Sequence, residues 1–118
     1  METALIDQAL ELLEKAAADL EPELLSAPDA RRLLDSYSRA RRLIDFGIAG
    51  LSRKVADAGE VARATGTSIG QAKAFVSTGN ILGRSGDLRE ALQHGEVSVE
   101  QAHEIATAVE SEPLQRES

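Results

Sequence analysis

Apolar residues recur at intervals of three and four along most of the chain, and the phase of that rhythm divides it into segments. Leu5, Ile6, Ala9, Leu10, Leu13, Ala16, Ala17 and Leu20 return to one side of a helix with a period near 3.6. Thr3 stands where an N-cap belongs and Pro22 where a helix has to stop, so the pattern predicts an N-terminal amphipathic helix within residues 1–22.

A second run begins after Ser26, with Pro28 and Asp29 in its first turn. Ala30, Leu34, Tyr37, Ile44, Ile48, Leu51, Val55, Ala58 and Ala62 carry the rhythm almost to Gly66 with no proline between. This predicts one long basic helix over residues 26–65, weakened at Gly47, Gly50 and Gly59. Unbroken from Ala27 to Ala62 it measures about 54 Å, against a diameter of roughly 35 Å for a compact chain of this size. Either the helix bends around Gly47 and Gly50, or its apolar stripe pairs with another chain as a coiled coil or helical bundle. The rhythm persists across both glycines, which favours pairing. The candidate association surface is Leu34, Tyr37, Ile44, Ile48, Leu51 and Val55, and the expected partner is a second copy.

From residue 66 the chain repeats a phrase. GTSIGQAKAF (66–75) and GEVSVEQAHEI (95–105) each place a glycine, a short gap, a serine and, three residues after the serine, a glutamine. Glycine closes a helix in the left-handed conformation. Ser68 and Ser98 accept from free amides of the next helix, and Gln71 and Gln101 reach back as a capping box. A similar box, Asp87 to Glu90, opens the segment between them and Gly95 closes it. Three short capped helices are expected over residues 66–113, with a tail at 114–118.

Composition sharpens the fold class. Nineteen alanines against Tyr37, Phe46 and Phe75 as the aromatics predict a single all-α domain with helices packed through small side chains. The absence of cysteine excludes disulfides and thiolate metal sites. METALIDQAL has no basic leader pattern, and FGIAGL is far short of a membrane span, so the expectation is a soluble, cytoplasmic chain.

The net charge of −7 is unevenly spread. Residues 1–30 hold eight acids and one base, residues 31–54 two acids and seven bases, and residues 55–118 ten acids and five bases. An acidic whole argues against indiscriminate nucleic-acid binding, but the basic band acts locally. On a helical wheel Arg31, Arg32, Arg39, Arg42 and Arg53 fall within one arc opposite the apolar stripe. That arc is either a solvated face or a ridge that tracks DNA phosphates. Phe46 lies on the same arc, where a bend at Gly47 would shift its phase and bury it.

The segment 60–79 has the small residues, turn and following helix of a helix-turn-helix, in which Thr67, Ser68, Gln71, Lys73 and Ala74 would face a groove. Its basic balance is slight, four bases to three acids over residues 60–92. His94 and His103 fall on different predicted helices, as exposed surface groups, with no converging ligands for a metal. No nucleophile, base and orienting group can be assembled, so neither catalysis, nor a cofactor, nor a small-molecule ligand is expected.

ARATGTSIGQAKAFVSTGNIL followed by DLREALQHGEVSVEQAHEIATAVESEP resembles the actinobacterial domain of unknown function 222, the helical region found ahead of HNH endonuclease domains. The resemblance is best over residues 51–113 and rests on the TGTS turn, the Gln-Ala-Lys helix, the Ala-Leu-x-x-Gly-Glu-Val-Ser step and the Gln-Ala pair before Ile105. Family members usually carry a further stretch with a tryptophan before the turn; here Gly59-Glu60 runs straight into VARATG. The resemblance implies a helical region positioned before a nuclease, and no HNH catalytic pattern includes His94 or His103. Together these readings give a non-catalytic helical association module, with a DNA-binding accessory domain as the alternative.

Overall fold

The computed structural model describes residues 3–110, and every regular element among them is helical. In order these are α1 (Ala4–Asp19), a 3-10 turn (Pro22–Leu24), α2 (Ala27–Val55), α3 (Ala58–Thr65), α4 (Ile69–Leu82), α5 (Gly86–Gln93) and α6 (Val99–Glu110). The expected all-α architecture and long central helix are therefore present. The expected tail at 114–118 and the last positions of the 66–113 segment lie outside the described residues. The chain divides into two compact units between Leu34 and Asp35, within α2.

In the first unit, α1 has no buried residue, and Leu5, Ile6, Leu10 and Leu12 are all exposed. Its start differs from expectation. Thr3 is itself in the helical region and its side chain makes no cap bond. Its end comes before Pro22, with Leu20 extended and Pro22 opening the 3-10 turn, where its missing N–H costs nothing. Ser26 starts α2 as expected, accepting from the Asp29 amide at 3.3 Å.

The second unit is built around α4, which buries Ala72, Phe75, Thr78, Gly79, Ile81 and Leu82 and packs against α3, α5 and α6. One cluster joins Ala49, Phe75, Leu82, Leu92, Val99 and Ala102; a smaller one joins Val61, Ala62 and Ala72. Small residues at the crossings let the backbones approach. A Cβ on Gly79 would collide with the Ala49 carbonyl oxygen and stand 2.8 Å from Arg53 Cβ.

The long helix is shorter than its apolar rhythm predicts. Its 29 residues span about 44 Å, and it stops at Val55 and not at residue 65. Gly47 and Gly50 do not interrupt it. The break falls at Ala56, whose φ of 58° is left-handed. Asp57 then caps α3 by accepting from the Glu60 amide at 3.1 Å. Asp-x-x-Glu is a helix-start signal, and here it outweighs continuous apolar periodicity.

The glycine punctuation is realised. Gly66 and Gly95 take φ of 68° and 71°. The Gly66 and Thr67 amides converge on the Ala62 carbonyl. At Gly95 the amides of Gly95 and Glu96 donate to Leu92 and Ala91, a Schellman closure. Ser68 accepts from Gln71 N–H at 3.1 Å. Ser98 and Gln101 close both halves of their box, at 3.1 and 2.9 Å. The third cap lies two residues earlier than expected. Ser85, not Asp87, accepts from the amide three residues on, that of Leu88, at 3.3 Å, and Asp87 lies inside the first turn.

Candidate association surface

The face of α2 that docks on its own domain lies about a quarter turn from the apolar stripe, between it and the arginine arc. Leu51 is 66% exposed and its neighbour Ser52 4%. Asp45, Ala49 and Ser52 are buried, whereas Tyr37, Ile44, Leu51 and Val55 remain exposed and Ile48 is half-buried. Leu34 is exposed at the end of the first unit. The choice of face follows from size. Ala49 and Gly79 permit backbone contact at the crossing with α4, which branched side chains at 48 or 51 would prevent.

The arginine arc is drawn into this docking. Arg42 Nη1 donates to the Gly95 carbonyl at 3.1 Å, and Arg39 Nη2 to the His94 carbonyl at 3.4 Å. Both carbonyls lie at the end of α5, where the helix dipole is negative. Arg53 lies across Gly79 and Gly83, and a Cβ on Gly83 would meet its guanidinium. Arg32 pairs with Asp29, and Arg31 is exposed. Phe46, on the same arc, packs half-buried against the core. The unbroken helix reaches that core without the bend at Gly47.

The helix-turn-helix-like pair is α3 and α4, joined at Gly66, Thr67 and Ser68. Thr67 Oγ1 pairs with Thr65 Oγ1 at 2.7 Å, and Thr65 donates to the Val61 carbonyl. Ser68 is occupied as a cap, Gln71 and Ala74 are half-buried, and Lys73 is exposed. The helix that would read a groove is the hub of the core.

Several concavities adjoin α2 in the second unit, one of them under Arg53 against Gly79 and Gly83. A groove of about 230 Å³ lies between α2 and α3, lined mainly by apolar side chains, Ile48, Leu51, Val55, Val61 and Ala64, together with Glu60. A polar cleft holds Ser38, Arg41, Arg42, Asp45, Ser98 and Glu100. There burial pushes the Asp45 carboxyl above its ordinary value; Arg41, 4.0 Å away, opposes the shift and Glu100 adds to it. His94 and His103 are exposed. Among the described residues no group of three or more His, Cys, Asp or Glu is placed to hold a metal ion, and no helix is long and apolar enough to cross a membrane.

No protein-family model, no curated protein and no solved structure matches the chain.

Proposed function

We propose that this chain is a non-catalytic helical association module that pairs with a second copy through the exposed stripe of α2. One observation carries the reading. The helix spends its small and polar face on its own core and leaves Tyr37, Ile44, Leu51 and Val55 in solvent. Leaving large aliphatic side chains exposed forfeits roughly 1.5–3 kcal/mol for each that could have been buried, and a contiguous exposed apolar stripe marks an interaction surface. The resemblance to the region ahead of HNH endonuclease domains gives this a context, in which a paired scaffold holds two attached domains in fixed relation.

The test is a double substitution, Ile44→Glu with Leu51→Glu. Both side chains are exposed within the single chain, so the far-ultraviolet helical signal is retained while association is lost. An oligomer of undiminished affinity would overturn the proposal.

A further inference from the structure

We infer that the two copies pair antiparallel along α2, with the two-fold axis crossing the seam at the level of residue 46, Tyr37 of each copy entering the α2–α3 groove of the other, and Arg41 facing the other copy's Glu60. This rests on the association reading and specifies its geometry.

The exposed side of α2 alternates spacings of four and three without a slip: Tyr37, Arg41, Ile44, Ile48, Leu51, Val55. That is the a/d seam of a coiled coil, with Arg41 its single charged member. In a parallel pair, equal positions meet, so Arg41 would oppose Arg41 across the seam, like charge against like. Antiparallel pairing centred at residue 46 gives layers of Tyr37 with Val55, Arg41 with Leu51, and Ile44 with Ile48. The two arginines are then ten residues apart, about 15 Å along the axis.

Three further observations agree with that register. Val55 and Leu51 line the α2–α3 groove, so the layer that brings Tyr37 to Val55 delivers the chain's one tyrosine to an apolar recess. Glu60 lines the same groove as Leu51, and Leu51 is the layer partner of Arg41, so the register brings opposite charges to one groove. Turning Arg41 outward gives up only a long contact, since its side chain is 78% exposed and its own Asp45 stands at the 4.0 Å limit of an ion pair. Finally, Gly47 has nothing within 4 Å of where a Cβ would stand and an ordinary helical φ. Its own chain does not require a residue that costs the helix about 1 kcal/mol relative to alanine. Beside a two-fold axis it lets the two helices approach.

The chain has no cysteine, so spin labels can be placed singly at Ser36→Cys and Gly50→Cys, both exposed positions off the seam. Antiparallel pairing predicts a label-to-label axial separation of about 30 Å at 36 and about 12 Å at 50, from twenty and eight residues of rise. Short distances at both positions would overturn the antiparallel arrangement while leaving the pairing intact. A monomer mass with no inter-copy distance at either position would overturn the association reading itself. Arg41→Glu should weaken pairing at least tenfold, and adding Glu60→Arg to the same chain should restore it. Failure of that rescue, with both labels still giving the antiparallel distances, would remove the Arg41–Glu60 contact from the proposal.

Discussion

Arg42 donates to the carbonyl oxygen of Gly95 at 3.1 Å, joining positions 53 residues apart. The bond ties the middle of α2 to the end of α5, with Arg39 beside it on His94. A guanidinium at a helix C-terminus is favoured by the dipole as well as by the hydrogen bond. Arg42→Gln is expected to lower unfolding free energy by about 1–2 kcal/mol, seen as an earlier urea midpoint. An unchanged midpoint would show that this contact does not hold α2 in place.

The glycines of α2 and α4 should respond oppositely to the same substitution. Gly79→Ala drives a Cβ into the Ala49 carbonyl and is expected to cost roughly 2–3 kcal/mol. Gly50→Ala meets nothing within 4 Å and should stabilise by about 0.5–1 kcal/mol through helix propensity. Thermal melts of the two variants compare them directly.

Much of this architecture is legible in the chain because it is local. Gly66, Ser68, Gly95, Ser98 and Gln101 announce helix ends and starts through their own hydrogen bonds, and they behave accordingly. The α2–α3 break is also local, but Asp57-x-x-Glu60 competes with an apolar rhythm that runs straight through it. Ser85 and Asp87 are both good caps two residues apart, and the choice between them is made by the turn that leaves α4. The docked face of α2 was not legible. Periodicity says which residues share a side but not which side its own core takes, and here Ala49 against Gly79 decides by size. Of the arginine arc, Arg53 covers that small-residue contact, while Arg39 and Arg42 face carbonyls at the end of α5.

Ala56 is a non-glycine residue at φ 58°, a conformation that costs an L-residue roughly 1–2 kcal/mol. Ala56→Gly relieves that strain but gives the unfolded chain more freedom. The expected net is a gain of about 0.5 kcal/mol, the small remainder of those two opposing effects. Ala56→Val should be destabilising, since a β-branched residue tolerates this region poorly. Urea unfolding of both variants reads the sign.

Asp45 predicts a pH dependence. Burial raises its carboxyl above 3.8, against Arg41 and with Glu100, while Arg42 lines the same cleft. The folded state therefore holds this proton more tightly than the unfolded state. Its contribution is fully present below the unfolded value and is lost as pH rises through the raised one. Asp45→Asn should be more stable than the parent at neutral pH, with the difference shrinking towards pH 4. A difference constant across that interval would mean that burial of the charge is not felt.

In the proposed assembly the exposed side of α2 is covered by a second copy. Light scattering across micromolar concentrations measures this directly. The predicted result is a species of twice the 12.6 kDa chain mass, dissociating on dilution. A mass equal to the single chain at every concentration would contradict it.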